Sequence, residues 1–329
     1  MLRLVSNSLV WHTFSTQALA NQPYRKSMTK NVTALIFLLT FLAFQPAHSQ
    51  SLETLKQRIQ EVLKDKSATV GVAIRGIDQR DTLSINGDKL LPMQSVFKYH
   101  LALTVLHQVD QGKLSLDQVI SLDKELIEAY QHLWSPLREK YPKGGEVTLA
   151  VMLEYMVSWS DNLGCDVLLE LVGGTGAVQS YLHDIGIQDI AIVHPEIVMQ
   201  AEWNNQYENW TTAKASNQAL KLFFENTNNL LSTESYNFLL NVLKGTKTGK
   251  KRIRGLLPKE TVVAHKTGSS GKNDEGVTGA LNDIGIVFLP NNSYFYLSVL
   301  VSDSMESEET NQQIIAEIAK LAWDHFNNR

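Results

Sequence analysis

Five short apolar runs rich in β-branched residues predict β-strands. Two of them lie early in the chain and three lie near its end, and turn residues such as glycine, asparagine, aspartate and proline separate them. The predicted strands are Thr69–Arg75, 82–86, 261–265, 283–289 and 294–301.

Helical spacing of apolar residues fills the stretch between these two groups of strands. From 96 to 243, apolar residues recur at intervals of three and four, as in Leu101, Val105 and Val109. The same spacing predicts one helix at 51–64, before the first strand, and another at 309–326, after the last. The elements therefore predict an α/β (α+β) fold, with an antiparallel sheet built from both chain ends, flanking terminal helices and an inserted all-helical domain.

The order of these elements also predicts domain boundaries. We expect an α/β sheet domain formed by 50–92 together with 245–329, and a helical domain at 93–244. A cleft, and with it the functional site, is expected at their junction.

The first fifty residues have the pattern of a secretory signal. Met28-Thr29-Lys30 precedes an apolar run at 32–44, and the small residues Ala47 and Ser49 precede the expected cleavage point. About 13 apolar residues are fewer than the roughly 20 that span a bilayer, so we expect cleavage after Ser49 rather than a permanent anchor. Residues 28–49 are therefore predicted as a signal peptide and 1–27 as a non-mature upstream extension. The mature protein is expected to be secreted, periplasmic and free of the membrane.

Composition excludes several classes of protein. With 329 residues, 43% of them hydrophobic, the chain can bury a large core. Its formal net charge of -4 offers no basic surface for phosphates, so nucleic acid is not an expected partner. Cys165 is the only cysteine, which rules out an intramolecular disulfide, and its apolar neighbours predict an inert core thiol. We expect a monomer.

The histidines do not form a metal-binding pattern. None of the nine belongs to a His-x-His-x-Asp or His-Glu-x-x-His cluster. A zinc hydrolase would lack its ligands, so no metal and no cofactor are expected.

Ser95 and Lys98, three positions apart, are the first candidate reactive pair. On a helix this spacing places the hydroxyl and the amine on one face, within hydrogen-bonding reach. An amine kept neutral by burial and by positive neighbours can take the serine proton, which turns a weak nucleophile into an active one.

Ser160-Asp161-Asn162 lies between two apolar runs and is predicted as a loop between helices. Such a loop can present Ser160 to a cleft, where its hydroxyl can pass a proton to a leaving group. The amide of Asn162 can hold a polar group of the substrate. The alternative is that these residues only cap the next helix, a position that serine, aspartate and asparagine all favour.

Lys266-Thr267-Gly268 directly follows a predicted strand and can line the edge of a cleft. Lys266 and Thr267 suit a substrate carboxylate, while Gly268 permits close approach of the backbone. The amide of Ser269 can pair with that of Ser95 to form an oxyanion hole.

The three motifs, in this order and at separations of roughly 60 and 100 residues, resemble the penicillin-binding and serine β-lactamase superfamily. The resemblance covers about residues 52–327, and the fold of that superfamily matches the predicted order of strands and helices. It implies an enzyme that opens β-lactam rings by acylating Ser95, with Ser160 protonating the ring nitrogen. Either Lys98 or a water bound by Glu196 would serve as the base for acylation, a point disputed for this family.

Glu196 distinguishes a hydrolase from a penicillin-binding protein within this resemblance. The segment His194-Pro195-Glu196 is similar to the omega loop of class A β-lactamases, whose glutamate activates the water that deacylates the enzyme. The resemblance therefore implies a class A serine β-lactamase that acts on small-molecule β-lactams, both penicillins and cephalosporins.

Two residues depart from the usual class A pattern. Gln200 stands where these enzymes have asparagine, and Asp166 stands where many have an asparagine that supports the omega loop. A carboxylate there is expected to repel Glu196 or to share a proton with it. The departures, with Asn209-Trp210-Thr211, are similar to the PER and VEB branch of extended-spectrum enzymes, which implies oxyimino-cephalosporins as substrates.

The basic segment at 247–254 holds further candidates. Arg252 lies in a stretch that resembles the class A segment before the Lys-Thr-Gly strand, and its guanidinium can help bind the substrate carboxylate. Arg254 competes for this role and is interpreted as structural. Lys247-Thr248-Gly249 repeats the triplet, but it follows a helix and lies among basic residues, so we predict a surface turn.

Two alternatives share these motifs. A D,D-peptidase or penicillin-binding protein would act on peptidoglycan stem peptides and stay acylated by penicillin. A β-lactam sensor domain would be acylated once and signal through a membrane segment. Glu196 counts against the first, and the predicted signal cleavage counts against the second.

Overall fold

The computed structural model describes residues 47–78 and 80–328, with side chains described from Ser51 onward. The predicted upstream extension and signal peptide lie outside the described residues, except for 47–49, which begin the first described helix. Within the two described ranges, no helix is both long and apolar enough to cross a membrane.

The described residues form ten strands and eleven helices. The strands are β1 Thr69–Arg75, β2 Thr82–Ile85, β3 Leu91–Pro92, β4 Val119–Leu122, β5 Gly145–Thr148, β6 Ile190–Ala191, β7 Trp210–Thr211, β8 Val263–Ser269, β9 Thr278–Phe288 and β10 Tyr294–Ser304. The helices are α1 Ala47–Leu63, α2 Phe97–Asp110, α3 Lys124–Ala129, α4 Pro136–Lys140, α5 Leu149–Ser158, α6 Asn162–Leu171, α7 Gly174–Asp184, α8 Glu196–Met199, α9 Ala213–Phe224, α10 Thr233–Lys244 and α11 Glu308–Asn327.

The central sheet has the strand order β2-β1-β10-β9-β8, and every neighbouring pair is antiparallel. Its first two strands come from the beginning of the described chain and the other three from its end. The prediction of an antiparallel sheet built from both chain ends is therefore confirmed.

Helices cover both faces of this sheet because successive residues of a strand point to opposite sides. On one face, Leu55 of α1 and Ile315 of α11 belong to one buried cluster with strand residues such as Val72. On the other, Phe223 of α9 belongs to a second cluster that includes Ala73, the next residue of β1. Burying each large apolar side chain stabilises the fold by about 1.5–3 kcal/mol.

The stretch between β3 and β8 is mainly helical, as predicted, but it also contains β4 to β7. These strands have only two to four residues, too few to produce a clear alternating pattern. At the centre of this helical stretch lies α2, in which every residue from Phe97 to Leu106 is buried. This helix carries Lys98, one of the candidate reactive residues. The boundaries proposed for a separate helical domain at 93–244 stay a prediction.

Three strands of the sheet extend beyond their predicted limits. β8 was predicted to end before Lys266, but it continues to Ser269, β9 begins at Thr278 rather than at Asp283, and β10 ends at Ser304 rather than at 301. The hydrophobic pattern missed these parts because polar residues there are buried. Asn282, for example, is fully buried and donates to the carbonyl of Pro92 over 2.8 Å.

Candidate active site

Ser95 lies at the start of α2, where a 3₁₀ turn at Gln94–Val96 leads into the helix. The backbone of Gln94 has φ of 47°, the left-handed region that non-glycine residues seldom adopt. Lys98 follows one turn later with its side chain fully buried, and its Nζ donates to Ser95 Oγ over 2.7 Å. The spacing of the two residues does bring hydroxyl and amine into contact.

Lys98 has three hydrogen-bond partners, and one of them is charged. Besides Ser95, its Nζ donates to Asn162 Oδ1 over 2.8 Å and forms an ion pair with Glu196 Oε1. Burial lowers the pKa of Lys98, but the negative charge of Glu196 opposes it and the net pKa lies above the ordinary value. The charge of Glu196 therefore favours the ammonium form of Lys98 in the free enzyme, against the expectation of an amine kept neutral by burial.

Ser160-Asp161-Asn162 forms the predicted loop and also caps a helix. α5 ends at Ser158, and Ser160 has φ of 61°. Asp161 caps α6, because its Oδ1 accepts from the amide of Gly164 over 2.7 Å, and Asn162 is the first residue of that helix. The capping interpretation is confirmed, and Asn162 lies at Lys98, whereas the proton transfer by Ser160 and the substrate contact of Asn162 stay predictions.

Lys266 and Gly268 of β8 approach Ser160 and Ser95 from the side of the central sheet. Lys266 Nζ donates to Ser160 Oγ over 2.9 Å. Burial, reinforced by the positive charge of Lys98, lowers the pKa of Lys266 well below its ordinary value. A Cβ atom at Gly268 would lie 2.5 Å from the carbonyl oxygen of Met93 and 3.3 Å from the amide nitrogen of Ser95, so a larger residue would push β8 away.

The two arginines have different contacts. Arg252 is buried and donates through NH1 to the carbonyls of Gly268 and Asn282, while NH2 donates to Ser269 Oγ. Arg254 donates to the carbonyls of Lys244 and Val263 and to no group of the site. This geometry agrees with the structural interpretation of Arg254.

The repeated triplet at 247–249 is not only a surface turn. Lys247 is exposed, as predicted, but Thr248 is half-buried and its Oγ1 lies 2.6 Å from Thr267 Oγ1. The prediction is wrong for Thr248, because the turn folds back onto β8 instead of projecting into solvent.

Asp166 holds the loop that carries Glu196. Its Oδ1 accepts from the amide of Glu196 over 2.7 Å, and its Oδ2 accepts from the amide of Ile197 over 2.9 Å and from the Tyr130 hydroxyl over 2.8 Å. Burial raises the pKa of Asp166 to about 6, with a smaller contribution from the charge of Glu196. Repulsion is therefore present, but the expected shared proton is wrong: Asp166 is bonded to the peptide groups of the loop rather than to the carboxylate of Glu196.

Two further side chains fix the same loop. Gln200 Nε2 donates to Glu196 Oε2 over 3.2 Å and to Gln94 Oε1 over 3.3 Å. Asn209 is fully buried, accepts from the amides of Val193 and His194 over 2.8 and 2.9 Å, and donates to the carbonyl of His194 over 2.8 Å. The side chain of Glu196, fully buried, is thus held at Ser95, whose Oγ donates to Glu196 Oε1 over 3.3 Å.

Sequence reasoning assigned no role to Tyr130, Gln94, Thr248 or Asn209. Asn209 had been noted only within the stretch similar to the PER and VEB branch and Thr248 only within the repeated triplet, and the other two lie in no local motif. Their contacts join residues 36 positions apart for Tyr130 and Asp166 and 106 positions apart for Gln94 and Gln200, which no local pattern records.

Neither metal nor thiol chemistry is indicated at this site. Among residues 47–78 and 80–328, no group of three or more histidine, cysteine, aspartate or glutamate residues is arranged to hold a metal ion. Cys165 is fully buried, and burial raises the pKa of its thiol well above the ordinary value. It is therefore present as a neutral thiol.

This arrangement suits acyl transfer. A nucleophilic hydroxyl contacts a carboxylate and a lysine, and a second hydroxyl contacts another buried lysine. Such a reaction needs a nucleophile, a base and a proton donor, and these contacts can supply all three.

Comparisons with known proteins agree with this geometry. The model of the β-lactamase enzyme family matches residues 54–326. β-Lactamase VEB-1 of Pseudomonas aeruginosa is 42% identical over 91% of this chain and 100% of its own. The extended-spectrum β-lactamase PER-1 of the same organism is 43% identical over 88% of this chain and 92% of its own.

Solved structures show the same relationship. The crystal structure of the TLA-1 extended-spectrum β-lactamase has a TM-score of 0.81 and 46% identity, and covers 84% of this chain and 99% of its own. A β-lactamase from Chitinophaga pinensis has a TM-score of 0.80 and 46% identity, covering 83% of this chain and 100% of its own. With its serine, lysine and glutamate in mutual contact, the chain belongs to the β-lactamase enzyme family and, within it, to the class A enzymes.

Proposed function

We propose that the chain hydrolyses β-lactam antibiotics, penicillins and cephalosporins including oxyimino-cephalosporins, through an acyl-enzyme on Ser95. The observation that carries this proposal is the contact of Ser95 Oγ with both Lys98 Nζ, at 2.7 Å, and Glu196 Oε1, at 3.3 Å. The similarity to VEB-1 and PER-1 supports the extended spectrum.

In the acylation step, Ser95 Oγ attacks the lactam carbonyl carbon and the carbon–nitrogen bond of the ring breaks. Glu196, directly or through a water, takes the serine proton, because its negative charge favours the charged form of Lys98, which cannot accept one. The amides of Ser95 and Ser269 stabilise the oxyanion. Ser160 passes its proton to the ring nitrogen, and Lys266, at 2.9 Å from the Ser160 oxygen, can replace it.

Substrate binding uses the β8 edge and the Ser160 loop. Lys266 and Thr267 bind the substrate carboxylate, and the amide of Asn162 holds an amide side chain. Arg252 acts through Ser269, because NH1 is occupied by two backbone carbonyls and NH2 contacts the Ser269 hydroxyl. An anionic substrate beside Lys266 also stabilises its charged form, which burial disfavours.

Before deacylation, Glu196 releases the serine proton to solvent, and Lys266 regains from solvent the proton that it gave to Ser160. In the deacylation step, Glu196 removes a proton from a water that attacks the ester carbon, and returns this proton to Ser95 Oγ as the ester bond breaks. Asp166, Gln200 and Asn209 keep the carboxylate beside Ser95. This step separates the proposal from a D,D-peptidase, a penicillin-binding protein or a β-lactam sensor, which would stay acylated.

The variant Glu196→Gln tests this role, since it keeps the shape of the side chain and removes the base. Without the charge of Glu196, burial lowers the pKa of Lys98, and its neutral amine can take the serine proton instead. We therefore expect acylation to remain measurable and deacylation to slow by about 10²- to 10⁴-fold, so that an adduct accumulates in the intact mass. The matched control is Glu202→Gln, an exposed glutamate shortly after Glu196, which is expected to keep normal turnover. Unchanged steady-state turnover in Glu196→Gln would remove Glu196 from the mechanism.

We further propose that the enzyme works in the periplasm as a monomer after signal cleavage. The apolar run at 32–44 and the small residues Ala47 and Ser49 support cleavage. Amino-terminal sequencing of the protein from a periplasmic extract should give Gln50 first, and gel filtration should give one chain. A full-length chain in the membrane fraction would contradict this proposal.

A further inference from the structure

The turn at 247–249 places a threonine against the Lys-Thr-Gly strand. Thr248 follows α10 by four residues, and its Oγ1 lies 2.6 Å from Thr267 Oγ1. Thr248 is half-buried, whereas Thr267 is only 4% exposed. The two hydroxyls therefore meet at the edge of the site, close to the residue proposed to bind the substrate carboxylate.

The turn is held in this place from both sides. The amide of Lys247 donates to the carbonyl of Ser158 over 2.8 Å, and the carbonyl of Gly249 accepts from the amide of Arg252 over 2.9 Å. Gly249 has φ of 67°, and a Cβ atom there would lie only 2.4 Å from Thr267 Cγ2. The backbone is thus packed directly on Thr267, and Thr248 cannot move away without breaking these contacts.

The direction of the bond between the two hydroxyls has a chemical consequence. Each hydroxyl has one proton to donate and two lone pairs to accept with. If Thr267 donates its proton to a carboxylate, its oxygen can still accept from Thr248. A hydroxyl that accepts a hydrogen bond becomes a better donor, because successive hydrogen bonds polarise one another.

We propose that Thr248 is a positioning residue, which orients the Thr267 hydroxyl toward the carboxylate of the β-lactam and so contributes to substrate selection. This inference rests on the proposed function, and it extends the carboxylate site to a residue outside the three motifs. With substrate bound, two hydrogen bonds run in series: the Thr248 hydroxyl donates to Thr267 Oγ1, and the Thr267 hydroxyl donates to the substrate carboxylate. No bond to Thr248 forms or breaks during catalysis.

The test compares Thr248→Val, which has nearly the same shape without the hydroxyl, with Thr248→Ser, which restores it. Each is assayed with a chromogenic cephalosporin as the free carboxylate and as its methyl ester. For the free acid, we expect Thr248→Val to lower kcat/KM by about 3- to 10-fold, the loss typical of one hydrogen bond, and to leave kcat nearly unchanged. Thr248→Ser should stay within about twofold of the parent.

Two controls separate orientation from a loss of structure. Lys247→Gln changes the exposed neighbour in the same turn and should stay within about twofold of the parent for both substrates. Thr267→Val should abolish the effect of Thr248→Val, because the two residues act through one hydroxyl. Thermal unfolding of every variant identifies any that fails to fold. If Thr248→Val fails, Thr248→Ala, which also lacks the hydroxyl, is compared with Thr248→Ser.

The outcomes are distinct. Equal loss of kcat/KM for acid and ester, or additive effects of Thr248→Val and Thr267→Val, would overturn the inference. An unchanged kcat/KM in Thr248→Val would do the same while the parent enzyme still turns over. If the parent itself shows no turnover of either substrate, the proposed function has failed instead.

Discussion

Replacing Asp166 by asparagine tests how the omega loop is held. The carboxylate accepts three hydrogen bonds, which favour its charged form, but it is only 8% exposed, and burial raises its pKa to about 6 from the ordinary 3.8. The folded protein therefore binds the proton of Asp166 more tightly than the unfolded chain does. Stability from this group is present below about pH 4 and is lost as the pH rises through 6.

The size of the effect follows from the two pKa values. Each pH unit between the folded and unfolded pKa corresponds to about 1.4 kcal/mol, so ionising Asp166 destabilises the fold by about 3 kcal/mol at pH 7.5. Asp166→Asn removes this titration. Its altered hydrogen bonds add an offset of about 1 kcal/mol each that is the same at every pH. The stability of Asp166→Asn relative to the parent should thus rise by about 2.5 kcal/mol between pH 4 and pH 7.5, because Asp166 of the unfolded chain is already partly ionised at pH 4.

Urea unfolding of both proteins at several pH values measures this difference. Tyr130→Phe serves as the companion variant: it removes a donor that lowers the pKa of Asp166, so the loss of stability with rising pH should become larger. A difference between Asp166→Asn and the parent that is constant from pH 4 to 7.5 would refute the reasoning. A difference of opposite sign would show that the three hydrogen bonds outweigh burial.

Two further predictions concern the loop and the carboxylate site. Asn209→Ala should lower the free energy of unfolding by about 1–3 kcal/mol in urea titrations, because it removes a fully buried side chain and leaves the peptide groups of Val193 and His194 without their partner. A loss below about 0.5 kcal/mol would contradict that reading. For a substrate with a free carboxylate, kcat/KM should decrease as the pH rises, at a pH well below 10.5, because Lys266 then loses its proton. The kcat/KM of the methyl ester should not show this decrease. Identical pH profiles for acid and ester would exclude Lys266 from carboxylate binding.

Much of the fold was predictable from the sequence because several strands follow simple patterns. β1 is a run of β-branched and small residues, and its predicted limits match those observed. β8 and β9 were predicted too short because Lys266 and Asn282 are polar yet fully or almost fully buried. Their burial depends on partners elsewhere in the chain, such as the carbonyl of Pro92 for Asn282.

The sequence predicted which residues form the site. It did not predict the protonation of Lys98 or the contacts by which Asp166 holds the loop of Glu196. Ser95, Lys98 and Glu196 were identified from motifs, and the structure brings them together. The protonation of Lys98 could not be predicted, because it depends on a carboxylate 98 positions away. The role of Asp166 was expected to be repulsive because its charge was visible in the sequence, whereas the peptide N–H groups that bind it were not.

The most direct test of the central claim is an intact-mass time course of the purified mature protein with excess chromogenic cephalosporin, followed together with product absorbance. The account predicts many turnovers per enzyme and a transient adduct of substrate mass that maps to Ser95. A stable one-to-one adduct without turnover would contradict it, because Glu196 would then not be placed to deacylate and a penicillin-binding or sensor function would fit better.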